Sequence, residues 1–410
     1  MKITVHKLLV LCTFITYIEC VPELQLLHVV FAHKTYAPIL DLINSTDISL
    51  PSKLIYEHFN SASFNMPNTG KLNMYNLGVH LRNIYDQFLG NIYTKNTMKM
   101  QTTKYPLSMI SGQLVNAGLW PPSEIENWNS DLAWQPIPTD YVSKQEDTLL
   151  LGMHCPSSIS EMRKVLNTDQ VQKTLLYYLP LFELVSNYTG MEIRQPSEIA
   201  LLYSVLETQA DLNRSLPYWS EDIFPGGAMY NLTMLEYDLL SQTPLQRQLN
   251  GGTIIKEVIA NSLEYIHGSI PKNRKLMIYS GNERNIVGVL KSLDLWSPHV
   301  PNEAASVIFE MYYDNETQSH GIKINYYMGV DSETIPLKIV DCTEICPLET
   351  FMNIYLDVIP QNEELLCNRW NTDIYDKNIT MGGDKYNRSD RCIQKNIIIA
   401  LLFVMTLCVY

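Results

Sequence analysis

Positive charge is scarce in this sequence. Its 30 lysine and arginine residues are outnumbered by 43 aspartate and glutamate residues, giving a formal net charge of -13. The basic residues form no cluster along the chain. Nucleic acids and anionic membrane surfaces bind proteins through clustered lysine and arginine. The sequence therefore argues against both of these partners.

Cysteine is also scarce, with eight residues in 410, two of them within an N-terminal leader. No Cys-x-x-Cys pair is matched by a second one, so the sequence offers no zinc site of that type and predicts no cofactor. In an oxidising compartment, Cys342 and Cys346 could close a small loop, and Cys155 could pair with Cys367 over a long span. Spacing alone leaves this pairing open.

The first twenty residues have the pattern of a secretory signal peptide. Lys2 and Lys7 precede an apolar run over residues 8–18, and Cys20 supplies a small residue before Val21. This order of basic, apolar and small residues predicts cleavage after residue 20. Seven Asn-x-Ser/Thr glycosylation sequons agree with export from the cytosol. They are Asn44, Asn187, Asn213, Asn231, Asn315, Asn378 and Asn387.

Long apolar runs are otherwise absent until residues 397–410, which end the chain. A membrane-spanning helix needs about 20 apolar residues, more than this run contains. Within residues 381–410, the small residues Gly382, Gly383 and Ser389 precede the run, as in a glycosylphosphatidylinositol (GPI) attachment signal. The alternative is an uncleaved hydrophobic tail of little consequence. This alternative is favoured by the stretch between Ser389 and the apolar run, which is shorter than the usual spacer of a GPI signal. We expect an extracellular protein, either secreted or anchored at the cell surface.

Residues 24–31 form a short apolar run that ends in a polar loop, which is typical of a buried strand in a parallel sheet. Helical periodicity dominates residues 156–250, and strand and helix patterns alternate after them. We therefore predict an α/β fold with an inserted helical cap. The predicted domain spans 21–380, with its core in 21–155 and 251–367 and its cap in 156–250.

Ligands of open α/β sheets bind beyond the carboxyl ends of the strands, where His33 lies. The segment Ala32-His33-Lys34-Thr35-Tyr36-Ala37-Pro38 resembles the Arg-His-Gly-x-Arg-x-Pro motif of the histidine acid phosphatases, and most closely their insect venom branch. The segments 113–122, 279–290 and 298–310 extend the resemblance over residues 23–367. It implies a phosphoglycerate-mutase-like fold, with a mixed, mostly parallel sheet, flanking helices and a cap. It also implies the disulfides Cys155–Cys367 and Cys342–Cys346.

In the family that this chain resembles, the motif histidine attacks phosphorus and forms a phosphohistidine that water hydrolyses. His33 occupies that slot, and Glu283 occupies the slot of the acid that protonates the leaving oxygen. Three arginines and a second histidine hold the phosphate in the family. Their slots here contain Ala32, Tyr36, Gln101 and Asn282.

Three residues of this candidate site each have two interpretations. Lys34 either supplies a cation beside His33 or turns its side chain to solvent. His33 is either the nucleophile or a hydrogen-bonded remnant without a catalytic role. Glu283 either protonates a leaving group or stabilises the start of a helix, where a carboxylate is favoured in any case.

Two hypotheses follow for the function. The first is a catalytically impaired phosphatase-like protein that binds a protein partner or a residual phosphomonoester in the old cleft. The second is an active acid phosphatase that hydrolyses phosphomonoesters through His33, Glu283 and a cation such as Lys34. The sequence leaves the oligomeric state open, a homodimer included.

Overall fold

The computed structural model describes residues 21–34 and 66–368. The signal peptide predicted at 1–20, the motif residue Tyr36 and the tail predicted at 381–410 lie outside the described residues. The same is true of three sequons, Asn44, Asn378 and Asn387.

An eight-stranded mixed sheet forms the centre of the molecule, in the order β3-β2-β4-β1-β5-β6-β7, with β8 paired to β6. Strands β3, β2, β4 and β1 run parallel, and the remaining pairs are antiparallel. The strands are β1 (Glu23–His33), β2 (Met98–Thr102), β3 (Asp140–Tyr141), β4 (Leu276–Asn282), β5 (Ser306–Asp314), β6 (Ser319–Tyr327), β7 (Thr334–Leu337) and β8 (Cys346–Pro347).

Helices cover both faces of this sheet, so the described chain has a mixed α/β fold. They are α1 (Asn68–Leu89), α2 (Pro106–Leu119), α3 (Pro156–Leu166), α4 (Asp169–Tyr177), α5 (Leu179–Thr189), α6 (Pro196–Asp211), α7 (Gly227–Leu239), α8 (Pro244–Arg247), α9 (Thr253–His267), α10 (Glu283–Ser292), α11 (Leu348–Ile354) and α12 (Glu363–Cys367).

Strand β1 is buried on both sides, as a continuous apolar run predicts. Leu26 and Val30 face a core cluster that contains residues of α9 and α10. Leu27 and Val29 face a second cluster that contains residues of α1 and α2. This double burial fixes the position of the strand end that carries His33.

Helices α1 and α2 cross at two glycines. A Cβ atom built on Gly78 would lie 2.1 Å from the Val115 carbonyl oxygen, and one built on Gly118 would lie 2.1 Å from the Tyr75 carbonyl oxygen. Side chains at either position would force the helices apart. The close crossing packs α2 against the sheet and places its first turn beside the end of β1.

We call helices α3 to α8 (Pro156–Arg247) the cap. Its helices α5, α6 and α7 share an apolar cluster of their own, built around Phe182, Leu202 and Leu232. The disulfide Cys155–Cys367 links the start of the cap to α12, and Cys342–Cys346 closes a local loop before β8. Both pairings are those that the family resemblance implies.

Several boundaries differ from the sequence patterns. Strand β1 continues to His33, because its last residues pair with β4 on one side and β5 on the other. The segment Gly281-Asn282-Glu283, which follows a short apolar run, predicts a turn. This prediction is wrong, because Gly281 and Asn282 end β4 and Glu283 begins α10 directly. Within the described residues, no helix combines the length and apolar character that a membrane crossing needs.

Candidate functional site

The candidate site begins at the carboxyl ends of two adjacent parallel strands. His33 ends β1 and is the register partner of Asn282, which ends β4. The side chain of Asn282 caps α10 by accepting a hydrogen bond from the Arg284 amide at 3.0 Å. Glu283, the first residue of α10, is also buried. The sheet thus brings both predicted catalytic slots to one rim.

The imidazole of His33 is held at both nitrogens. Nδ1 lies 2.9 Å from the Lys34 carbonyl oxygen, which can only accept, so Nδ1 carries the proton. In the neutral ring, Nε2 therefore accepts a hydrogen bond from the Ser108 hydroxyl at 3.0 Å. The Thr103 hydroxyl donates in turn to Ser108 Oγ at 2.6 Å. Both ring nitrogens of His33 are thus already hydrogen-bonded.

Burial lowers the pKa of His33 below 6.5, although the Lys34 carbonyl and the negative charge of Glu283 oppose this shift. Burial disfavours the charged imidazolium, so the ring is neutral at pH 7. A neutral imidazole could act as a nucleophile or as a base. Whether His33 reacts with a phosphate ester then depends on whether the surrounding groups can bind one.

Three of the four positions predicted to bind phosphate lie within the described residues, and together they do not form a phosphate-binding site. Ala32 is 1% exposed and belongs to the apolar core beneath the rim. Gln101 pairs with Tyr279, three residues before the end of β4, so its backbone lies below the level of Asn282. Asn282 serves as a helix cap. None of these three side chains carries a positive charge.

Lys34 does not turn to solvent, because its side chain is only 12% exposed. Its ammonium group reaches the cap, where it lies 2.5 Å from Asp211 Oδ2 and 3.4 Å from Glu207 Oε2 on α6. Burial favours the neutral amine, but the charges of Glu207 and Asp211 outweigh it and raise the pKa of Lys34. Lys34 is therefore positively charged and already paired with carboxylates.

A cleft between the sheet rim and the cap contains Lys34 together with acidic groups. Its lining residues are Lys34, Ser204, Glu207, Tyr237, Glu283, Val300 and Pro301. Burial raises the pKa of Glu207 despite the nearby Lys34 charge. Burial also raises the pKa of Glu303 to about 7, and the Lys34 charge again opposes the shift. Above pH 7 the carboxylates around Lys34 outnumber its single charge.

A second cation lies beside the cleft. Arg284 Nη1 is 3.7 Å from Glu283 Oε1. The Arg284 charge also acts on Glu236 of α7, whose pKa burial raises. Like Lys34, this arginine has acidic neighbours. Among the described residues, no group of three or more histidine, cysteine, aspartate or glutamate side chains is placed to hold a metal ion.

Sequence reasoning missed the partners of His33 and Lys34. Ser108 contacts His33 across 75 residues of sequence, and nothing in its local pattern marks it. Glu207 and Asp211 are four residues apart on a helix and so share a face, which the sequence does indicate. Their partner Lys34 is 177 residues from Asp211, and only the fold brings them together.

Comparison with known proteins shows the family of this chain. Residues 65–327 match the model of the histidine phosphatase superfamily (branch 2). The chain belongs to this family. It is 34% identical to venom acid phosphatase Acph-1 of Apis mellifera over 347 residues, which covers 85% of this chain and 88% of that protein. It is 31% identical to prostatic acid phosphatase of Rattus norvegicus over 302 residues, covering 72% and 77% of the two chains.

Solved structures of this family's fold are also similar to the chain. The phytase from Citrobacter braakii superposes with a TM-score of 0.59 at 13% identity, covering 84% of this chain and 99% of that one. The Hafnia alvei phytase in complex with myo-inositol hexakis sulphate gives a TM-score of 0.58 at 14% identity, with coverages of 84% and 98%. At such low identity these likenesses establish the fold alone.

Proposed function

We propose that this member of the histidine phosphatase superfamily acts by binding and has lost most or all phosphatase activity. The observation that carries the proposal is the pairing of Lys34 with Glu207 and Asp211 in a cleft that also contains Glu283. A phosphomonoester is an anion, and carboxylates facing it oppose its binding. The one cation of the old motif segment is already neutralised.

The expected loss of catalysis is large. Phosphoryl transfer is catalysed mainly by positioning and by neutralising charge on the phosphate oxygens, and one well-placed arginine is worth about 10³ to 10⁵ in rate. Hydrogen bonds to charged groups contribute roughly 1.5 to 3 kcal/mol each, so several missing donors remove several kcal/mol of transition-state binding. Lysine does not reproduce the two-pronged contact of arginine.

We further propose that the protein is exported and glycosylated. The four sequons within the described residues, Asn187, Asn213, Asn231 and Asn315, are all exposed, as glycosylation requires. A relative named for its occurrence in venom supports secretion. Treating protein secreted by insect cells with a peptide N-glycosidase should lower its apparent mass. Release of the cell-bound form by a phosphatidylinositol-specific phospholipase would support the lipid anchor, and recovery only in the medium would contradict it.

The test of the main proposal is hydrolysis of p-nitrophenyl phosphate between pH 4 and 6. The purified parent protein is compared with His33→Ala and with a variant that restores the four family residues. We expect an inactive parent and measurable activity in the restored variant. The restoring substitutions are Ala32→Arg, Tyr36→Arg, Gln101→Arg and Asn282→His.

Two controls make this result interpretable. Because Ala32 is buried and Asn282 caps α10, circular dichroism must show that the restored variant is folded, and a version that keeps Ala32 provides a milder alternative. Adding His33→Ala to the restored variant should abolish its activity. Adding Glu207→Gln and Asp211→Asn should increase it, because both changes remove charges that repel phosphate.

The second candidate is an active acid phosphatase with a rebuilt site. It is favoured by the retention of His33 and Glu283 on one rim, close enough for Glu283 to act on the pKa of His33. In this case the parent protein hydrolyses the phosphomonoester in acid, and His33→Ala abolishes the activity. That outcome would overturn the binding proposal and make Lys34 the next residue to substitute.

A further inference from the structure

Within the described chain, the cap carries an exposed patch of apolar and aromatic side chains. Leu184 and Tyr188 of α5 are 39% and 42% exposed, and helical residues four apart are neighbours on one face. Tyr218, in a short helical turn after α6, is 72% exposed. The next residue, Trp219, is partly buried against the apolar cluster of the cap. We call these four residues the aromatic patch.

Tyr188 is in ring contact with both other aromatic residues of the patch. Its ring centroid is 5.5 Å from that of Tyr218, with an angle of 85° between the ring planes. It is 6.0 Å from that of Trp219, with the planes nearly parallel at 8°. Such contacts hold the rings in a defined arrangement. The patch is therefore an ordered apolar surface, which marks a place where another group binds.

A glycosylation sequon lies within the patch. Asn187 is exposed, directly precedes Tyr188, and is three residues from Leu184 on α5, so its side chain is a surface neighbour of Leu184. The residues that follow the other three described sequon asparagines are Arg214, the buried Leu232 and Glu316. Asn187 is thus the one described sequon asparagine that is followed by an exposed aromatic ring.

A glycan on Asn187 has the chemistry to cover these rings. In N-glycosylation the asparagine amide nitrogen displaces a lipid diphosphate from C1 of the donor sugar and loses one proton, which fixes the first sugar beside the helix. A pyranose ring has a face of C–H groups. This face packs on aromatic rings and removes apolar surface from water, while the hydroxyl groups of the sugar stay hydrated.

We propose that the N-glycan attached at Asn187 packs on the aromatic patch and shields it from water and from other proteins. This inference rests on the proposed glycosylation of the chain, and it is independent of whether the cleft retains phosphatase activity. A second exposed aromatic pair provides a contrast. Trp128 and Trp134, between α2 and β3, have ring centroids 6.4 Å apart, but no sequon lies between Asn44 and Asn187 in the sequence.

Nitration of tyrosines by tetranitromethane, measured residue by residue with peptide mass spectrometry, tests this cover. The whole protein is secreted from insect cells, occupancy of Asn187 is measured, and the parent is compared with Asn187→Gln. Tyr188 and Tyr218 should react several-fold more slowly in the parent, because the sugar excludes the reagent. Tyr141 of β3, which is 50% exposed, should react equally in both proteins. Asn315→Gln, the matched control, removes a sequon from a polar turn and should leave all three rates unchanged.

A second measurement avoids any folding defect of Asn187→Gln. Treating the folded parent with a peptide N-glycosidase should raise the nitration rates of Tyr188 and Tyr218 to those of the variant. Tyr218→Ser should lower the melting temperature of the glycosylated protein more than that of the glycan-free protein, since it removes a contact only where the sugar is present. Trp128→Ser, a control outside the patch, should lower both equally.

Three results would overturn the inference. Equal nitration of Tyr188 and Tyr218 with and without an occupied Asn187 would show that the glycan points away from the patch. An unoccupied Asn187 in the secreted protein would leave the patch uncovered, and if the other described sequons are also unoccupied the proposed glycosylation fails as well. Slow nitration in the glycan-free protein, together with a dimeric mass in size-exclusion chromatography, would assign the patch to a second copy of the chain.

Discussion

The interior of the sheet and its carboxyl-terminal rim differ in how closely they match the histidine phosphatase family. In the interior, strand β1 is flanked by β4 and β5 and buried by helices on both faces, as the fold requires. At the rim, the described positions that the family resemblance assigns to phosphate binding hold Ala32, Gln101 and Asn282, and Lys34 is paired with acids.

This difference shows that the fold does not depend on arginines at these rim positions. The sheet is stabilised by apolar burial and strand pairing, neither of which needs an arginine at the rim. Two of the changed residues have structural roles instead. Ala32 extends the apolar core, and Asn282 caps α10. Changes at the rim can therefore remove an activity while the fold persists.

Substitution of a large interior side chain should give the largest effect on stability. Phe309 of β5 is completely buried, and Phe309→Ala should lower the free energy of unfolding by about 3 to 5 kcal/mol, since it removes apolar contacts and leaves a cavity. Asp211→Asn at the cleft should change it by less than about 1 kcal/mol, because Asp211 is half exposed. Urea unfolding measures both, and similar values would contradict the contrast between interior and rim.

A buried histidine should make the interior sensitive to acid. His28 on β1 is 0% exposed, neither ring nitrogen has a hydrogen-bond partner among the described residues, and burial lowers its pKa to about 3. Below pH 6.5 the unfolded chain binds a proton that the folded protein excludes. Stability from this group is therefore complete above pH 6.5 and falls by about 1.4 kcal/mol per pH unit towards pH 3.

The variant His28→Leu isolates this contribution from other titrating groups. The free energy of unfolding of the parent and the variant should be measured by urea titration at pH 7, 6, 5 and 4. The difference between them should shift in favour of the variant as the pH falls. A difference that does not vary with pH would show that His28 is not buried as a neutral ring.

A rim residue with a structural role should give a smaller effect than Phe309 or His28. Asn282→Ala removes the side chain that accepts from the Arg284 amide, and loss of such a cap costs about 1 kcal/mol. Asn282→Asp keeps an acceptor at the same place and should be close to the parent. If the alanine variant is as stable as the aspartate variant, the cap contributes nothing and Asn282 has no structural role at the rim.

Much of the fold could be predicted from local patterns. The apolar run of β1, the amphipathic helix α9 and the hairpin of β5 and β6 each bury a face that their own periodicity defines. The ends of β1 and β4 could not be predicted, because pairing between β1 and β4 extends both strands into polar residues. The turn expected at residues 281–283 failed for this reason.

Local patterns are enough to predict the α/β fold class, most of the helices and strands, and the placement of His33 and Glu283 at strand ends, because hydrophobic periodicity and a motif at a strand end are local properties of the chain. The surroundings of His33 and Lys34 depend on the folded arrangement. Ser108 reaches His33 from α2, and Asp211 reaches Lys34 from the cap. Charge balance in a cleft depends on groups brought together from distant segments, and no local pattern records which groups will meet.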